Sequence, residues 1–228
     1  MALDLLLAAL KLEPEYPAAQ AHAAWCFEQR YHRDGHRPDD KAEAIKLARA
    51  VIVSLTDDGL ALAIAAFVLA MFTHDYEIAL GAVERALAWN GNSALTLGFA
   101  AMTEANSGRY EEAIGHAQHA IRLSPLDPMN YHPYLGMGFA YFFSGRCDEA
   151  VQAAGLAIRT NPTFLISHAV LVASYVELGQ AEKASAAARR LLELAPGFEV
   201  SFIEQHEFTF PERVAQFGAA LRKGGLPG

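Results

Sequence analysis

Cysteine and positive charge are both scarce in this chain of 228 residues. The two cysteines, Cys26 and Cys147, lie far apart and lack the spacing of a zinc site, so neither a disulfide framework nor a zinc knuckle is expected. The 18 Lys and Arg residues are outnumbered by 26 Asp and Glu residues, and the resulting net charge of -8 repels a phosphate backbone. These shortages disfavour binding to nucleic acid or to anionic membranes, and they favour a reduced, cytoplasmic setting.

Long apolar runs are also missing. The most apolar stretch, GLALAIAAFVLAMF, covers 14 residues from 59 to 72, whereas a helix that spans a bilayer needs about 20. The first residues, MALDLLLAALKLEP, have no basic start and contain Asp4, so they do not read as a signal peptide. A content of 53% hydrophobic and 19% charged residues predicts instead a folded chain with a large core.

Two stretches of the chain repeat each other. Residues 107–125 read SGRYEEAIGHAQHAIRLSP, residues 144–162 read SGRCDEAVQAAGLAIRTNP, and ten of the nineteen positions are identical. Four series of marker residues extend this repeat with the same three intervals: His74, Gly108, Gly145 and Gly179; Ala79, Ala113, Ala150 and Ala184; Ala86, Ala120, Ala157 and Leu191; Gly91, Pro125, Pro162 and Pro196. In every series the middle interval is the longest, and one insertion at 126–128 explains this difference in all four.

A unit of about 34 residues with Gly at its middle and Pro at its end predicts a pair of helices joined by a tight turn. Gly adopts a positive φ at the least cost, so it ends the first helix. Pro lacks the N–H that a continuing helix needs, so it ends the second. The alanines allow the paired helices to approach closely. The sequence therefore predicts an all-α solenoid, right-handed, of about four to five helix pairs.

This pattern resembles the tetratricopeptide repeat (TPR) family. In the best copy, the family's positions fall on Tyr134, Met137, Gly138, Tyr141, Ala150, Ala154, Ala157 and Pro162. Residues 1–197 are predicted to form the array, with a half repeat at 1–14, a degenerate repeat at 17–56 and clear repeats at about 60–196. Residues 198–228 are predicted to cap it, with a last helix that starts at Pro211 and has an apolar stripe of Val214, Phe217 and Leu221.

The resemblance implies a binding face. In this family the first helix of each pair lines a concave groove, and lining positions follow one face of each helix. At those positions the sequence has Trp25, Ile64, Val68, Met71, Phe72, Met102, Leu135, Phe139, Phe142 and Phe143. An apolar, aromatic groove suits an apolar segment or amphipathic helix of a partner protein. The alternative is that a tight superhelix or the C-terminal segment buries these side chains as ordinary core.

Sequence motifs for catalysis are missing. His116 and His119 are spaced to share a metal, but no carboxylate or Cys completes a ligand set in the sequence, so they are expected to be surface residues without metal. The groove positions offer almost no titratable group except Glu28 and Glu177. The prediction is a non-enzymatic scaffold that needs no cofactor.

Longer segments suggest a narrower context. The runs ALAWNGNSA, HAIRLSPLDPMNYHPYLGMGFAYFFSGRCDEAV and LRKGGLPG resemble the C-terminal repeat regions of bacterial class III adenylate or guanylate cyclases. That resemblance implies a regulatory role in a signalling protein whose catalytic domain is not in this chain. At the other end, Leu3, Leu6, Leu7 and Leu10 form a stripe without a partner helix, which predicts either a fragment of a longer protein or a homodimer formed through this helix.

Overall fold

The computed structural model describes residues 2–33, 37–205 and 208–228, and these ranges contain thirteen α-helices and no strand. The helices are α1 (Ala2–Leu12), α2 (Pro17–Arg33), α3 (Pro38–Val53), α4 (Gly59–Thr73), α5 (Tyr76–Asn90), α6 (Ala94–Asn106), α7 (Tyr110–Leu123), α8 (Tyr131–Phe143), α9 (Cys147–Thr160), α10 (Leu165–Glu177), α11 (Ala181–Leu194), α12 (Val200–Gln205) and α13 (Pro211–Lys223). None of these helices is both long and apolar enough to cross a membrane.

The turns inside the hairpins follow the marker residues. Gly108, Gly145 and Gly179 have φ values of 80°, 79° and 69°, and His74 takes the same left-handed region at 55°. Only glycine enters that region without steric cost, so Gly follows the first helices α6, α8 and α10, whereas His74 takes this position after α4. The second helices α7, α9 and α11 each end two residues before a proline. The predicted helix ends are therefore confirmed.

The helices pair as α2 with α3, α4 with α5, α6 with α7, α8 with α9, and α10 with α11. Each first helix also packs on the first helix of the next pair, so α2, α4, α6, α8 and α10 form one layer, which we call the first-helix face. The marker alanines at 79, 113, 150 and 184 are buried between the layers. These contacts confirm the predicted all-α solenoid of helix pairs.

Helix α1 lies against α2, as the second helix of a preceding pair would. None of its residues is buried, although Leu3 and Leu7 pack against the core. Leu6 and Leu10 are half-buried, whereas Leu5 and Leu12 are 69% and 90% exposed. The leucines that face solvent most openly are thus not those of the predicted stripe.

The C-terminal residues fold back onto the array. Helix α13 packs on α12 and on α10, and its predicted stripe of Val214, Phe217 and Leu221 is buried. The C-terminal residues therefore lie along the first-helix face, because the apolar stripe of α13 meets the apolar side of α8 and α10 there.

Candidate functional site

The ten predicted lining residues all lie on first helices, but they do not line an open groove. Trp25 and Met71 are half-buried, and the other eight are buried: Ile64, Val68, Phe72, Met102, Leu135, Phe139, Phe142 and Phe143. In this conformation the structure places them in or against one continuous core, and the aromatic residues among them have three different surroundings. The alternative of core burial, left open by the sequence, is what the structure shows.

The first surroundings lie around Trp25. Its ring centroid is 5.2 Å from that of Phe99 on α6 and 5.8 Å from that of His132 on α8, with both ring pairs near edge-to-face. A side chain of the first pair thus touches a side chain of the fourth, which shows how tightly the first helices curve. These aromatic contacts cover the first-helix face around Trp25.

The second surroundings lie around Phe72, at the carboxyl end of α4. Its ring centroid is 5.2 Å from Tyr31 and 5.6 Å from His32, both on α2, and the ammonium of Lys41 is 5.5 Å from the ring centre. Phe72 therefore joins neighbouring hairpins.

The third surroundings are an aromatic pocket on α8, formed by Phe139, Phe142 and Phe143. Phe208 and Phe217 of the C-terminal residues fill it. The centroid of Phe217 lies 5.5 Å from that of Phe139 and 5.4 Å from that of Phe142, and Phe208 lies 4.9 Å from Phe139. Phe217 is fully buried and Phe208 is 6% exposed. The C-terminal residues of the same chain therefore occupy this pocket.

Residues 208–223, which we call the strap, continue along the carboxyl ends of the first helices. The hydroxyl of Thr209 donates a buried hydrogen bond of 2.7 Å to the carbonyl oxygen of Asn106, at the end of α6. The ring of Phe210 packs on Tyr76 with centroids 4.9 Å apart. Arg213 lies over the ring of Phe143 at 6.0 Å and donates to the Phe143 carbonyl at 3.4 Å. The strap thus contacts several hairpins along the array.

The strap is also tied to the helix before it. Two guanidinium nitrogens of Arg222 each lie 2.6 Å from a carboxylate oxygen of Glu204, and this pairing holds the pKa of the Glu204 carboxyl below its ordinary value. The backbone N–H of Val200 donates to the carbonyl of Pro227 at 2.8 Å. These bonds join α12, α13 and the terminal residues into one small unit.

One pair of titratable groups lies within the third hairpin. The Nδ1 atom of His116 on α7 is 2.9 Å from both carboxylate oxygens of Glu104 on α6, whose residue is 5% exposed. The hydrogen bond to Glu104 raises the pKa of the His116 imidazole, and burial raises the pKa of the Glu104 carboxyl. No group of three potential metal ligands occurs within the described ranges. The sequence missed this pair because the two residues meet only when the hairpin closes.

Sequence reasoning also missed Phe99, His132 and Phe208 as neighbours of the predicted residues. The aromatic pair FTF before Pro211 is visible in the sequence, but its position against α8 is not. Only the return path of the chain brings these residues together.

Comparison with known proteins supports the repeat type. No protein-family model matches the chain. It is 31% identical over 117 residues to the small glutamine-rich tetratricopeptide repeat-containing protein 2 of Mycosarcoma maydis, which is 51% of this chain and 32% of that protein. It is 38% identical over 77 residues to the TPR repeat-containing thioredoxin TTL4 of Arabidopsis thaliana, which is 34% of this chain and 11% of that protein. The chain thus matches only a third or less of each relative's length.

Solved structures agree in fold. Cut9 in the APC/C hetero-tetramer Cut9-Hcn1 is similar over 98% of this chain and 39% of that chain, with a TM-score of 0.69 and 14% identity. The type IV pilus biogenesis factor PilW is similar over 91% of this chain and 90% of its own, with a TM-score of 0.65 and 15% identity. MamA from Desulfovibrio magneticus RS-1 covers 78% of this chain and 96% of its own, with a TM-score of 0.54 and 19% identity. At these identities the likeness shows the fold alone, and with the two relatives it supports a TPR-type repeat protein.

Proposed function

We propose that this chain is a non-enzymatic scaffold that binds a segment of a partner protein on its first-helix face. The observation that carries the proposal is the aromatic pocket on α8, which already holds a chain segment through Phe208 and Phe217. The name of the similar complex Cut9-Hcn1 describes an assembly of two proteins, which agrees with a binding role for this fold.

The chemistry of the face sets the kind of partner. Leu135, Phe139, Phe142 and Phe143 are apolar side chains that would contact a partner once uncovered, and no Lys or Arg occurs among the ten lining positions. Burial of apolar area therefore supplies the binding free energy, at roughly 25 cal/mol per Å², with little electrostatic steering. An apolar segment or an amphipathic helix fits this face, whereas an acidic C-terminal peptide finds no basic clamp. Of the ten residues, we assign partner binding mainly to these four.

Catalysis is disfavoured by where the titratable groups lie. Glu28 and Glu177 are on α2 and α10, in the first and last hairpins, and Glu28 is 3.1 Å from the Nε2 atom of His32 on its own helix. Glu104 and His116 face each other between α6 and α7. A reaction needs several such groups around one substrate position.

The test is a capture of proteins from lysate of the source organism. Replacing Phe139 or Phe143 by Glu would place a charge among rings that are 3% and 4% exposed, so the milder pair Phe139→Leu and Phe143→Leu is the better variant. We expect the parent chain to capture a partner that this pair loses. Phe72→Leu, a change of the same type outside the pocket, is expected to retain it. Equal capture by all three chains would place the partner elsewhere.

The resemblance to cyclases suggests the kind of protein to which this module belongs. We propose that the module is the regulatory part of a cyclase-like bacterial signalling protein and acts in the cytoplasm. An antibody against this chain should then detect, in the source cells, a protein much larger than the chain itself. Detection of a single band at the mass of the chain alone would exclude this context.

Helix α1 supports homodimer formation as a second candidate function. It has no buried residue, and the side chains of Leu5 and Leu12 lie seven positions apart, on one exposed side of the helix. If α1 pairs with its copy, light scattering should show a dimer that Leu5→Glu with Leu12→Glu dissociates. A monomer at high concentration would exclude it.

A further inference from the structure

The strap occupies its pocket with a defined pattern of side chains. Phe208 and Phe210 stand two positions apart just before α13, which Pro211 starts. Phe208 enters the α8 pocket, whereas Phe210 packs on Tyr76. Less than two turns further, Phe217 completes the pocket from the helix. The face therefore binds an aromatic pair followed by an amphipathic helix.

The bonds between strap and array are of a kind that another segment can supply. The buried hydrogen bond of Thr209 ends on a backbone carbonyl, which any hydroxyl or N–H at that position can satisfy. Arg213 likewise uses the ring and the carbonyl of Phe143. The bidentate ion pair of Arg222 binds Glu204 on α12, within the same C-terminal unit. Leaving the face would therefore not break that ion pair.

We propose that the strap is a built-in ligand of the α8 pocket, and that the partner segment has the same pattern, Phe-x-Phe-Pro followed by a helix with Phe six positions after the proline. This inference rests on the proposed function and adds regulation to it. The strap and the partner compete for one pocket, so the partner binds the fraction of molecules whose strap has left.

The physical consequence is a penalty on binding in trans. A tethered segment acts at an effective concentration of about millimolar for a short connection. The apparent dissociation constant equals the intrinsic one divided by the fraction of open molecules. A peptide in solution therefore binds the parent chain more weakly than the intrinsic affinity of the pocket, and weakening the strap strengthens this binding.

The probe is a fluorescent peptide with the sequence of residues 208–223, FTFPERVAQFGAALRK. Fluorescence anisotropy would be measured on the parent chain, on a strap variant with Phe208→Ser and Phe217→Ser, and on a control with Ala215→Ser and Ala219→Ser. Ala215 and Ala219 are exposed on the same helix, so the control introduces equal numbers of serines without touching the pocket. We expect the strap variant to bind the peptide at least about tenfold more tightly than the parent and the control.

Two further variants keep the result interpretable. Thr209→Val removes one hydrogen bond and no ring, so it keeps the fold and is expected to give an intermediate gain of about threefold or more. Adding Phe139→Leu and Phe143→Leu to the strap variant should abolish the gain if the peptide binds the pocket. Circular dichroism on each chain confirms that the helices remain.

The outcomes separate this inference from the proposed function. Equal peptide binding by parent, Thr209→Val and strap variant would overturn the inference, as would a gain that survives the pocket substitutions. If the strap variant gains the peptide but no chain captures a partner from lysate, the built-in ligand stands and the proposed function fails. If the parent captures its pocket-dependent partner as well as the strap variant does, the proposed function stands and the competition is wrong.

Discussion

At the scale of single residues, the pair of Glu104 and His116 links stability to pH. The pKa of His116 is raised above its ordinary value in the folded chain because its ring is hydrogen-bonded to a buried carboxyl. A raised pKa means that the folded state binds the proton more tightly than the unfolded state does. The stabilisation is therefore fully present below the unfolded pKa of about 6.5 and is lost as the pH rises through the folded pKa. The raised pKa of Glu104 acts in the same direction at lower pH.

His116→Ala should lower the free energy of unfolding by about 1–3 kcal/mol at pH 6, because it leaves the buried Glu104 carboxyl without its partner. The loss should become smaller as the pH rises from 6 towards 8, because the stabilisation is lost as the pH passes through the raised pKa of His116. Urea unfolding at both pH values measures the difference. His119→Ala, one turn further on α7, is the matched control for the loss of an imidazole side chain. A loss of equal size at pH 6 and pH 8 would assign His116 a packing role only.

At the scale of helices, Gly136 marks a position where the backbones of two helices approach closely. A Cβ atom at Gly136 on α8 would lie 3.3 Å from the carbonyl of Ala101 on α6, and a backbone cannot move aside as a flexible side chain can. Gly155 on the outer helix α9 has no atom within 4 Å of the corresponding position. Gly136 and Gly155 thus differ in their surroundings, since of these two only Gly136 lies where two backbones pack closely.

Gly136→Ala should destabilise the chain by about 1–3 kcal/mol, because the added methyl group forces α6 and α8 apart. Gly155→Ala should instead stabilise it by about 0.5–1 kcal/mol, because alanine loses less backbone entropy in a helix. Thermal or urea unfolding of both variants tests the pair. Two substitutions of opposite sign are expected, and a stabilising Gly136→Ala would contradict the close contact of α6 with α8.

At the scale of the whole molecule, the strap and the array differ in the free energy that is needed to open them. The array is held by pairwise burial between hairpins, and each interior hairpin has two neighbours. The C-terminal unit lies on one side of the array and meets it through α10, the α8 pocket and the ends of the first helices. Its release would leave every hairpin contact in place.

Amide hydrogen exchange should therefore show two opening reactions. The amides of residues 214–221 in α13 should exchange through an opening that costs less free energy than exchange of the α8 amides, because the strap opens without the array. Thr209→Val should accelerate exchange in α13 and leave α8 unchanged. Identical exchange free energies in α8 and α13 would show that array and strap open together.

How much of this molecule could be read from the sequence depends on how local the signal is. The left-handed turns at Gly108, Gly145 and Gly179 and the helix ends before Pro125, Pro162 and Pro196 follow from the conformational limits of Gly and Pro. The apolar stripe of α13 follows in the same way from helical periodicity. The predicted lining residues do lie on first helices, but the sequence could not say whether their face is open.

The amino-acid sequence by itself determined the hairpins, their repeat and the solenoid, because each of these depends on residues that are neighbours along the chain or on an apolar face that one hairpin cannot bury alone. Only the tertiary structure decided that Trp25 meets His132, that Glu104 meets His116, and that Phe217 fills the pocket on α8. Those contacts depend on how tightly the first helices curve and where the last helix returns. Both are set by the sum of many small packing terms, which no local pattern encodes.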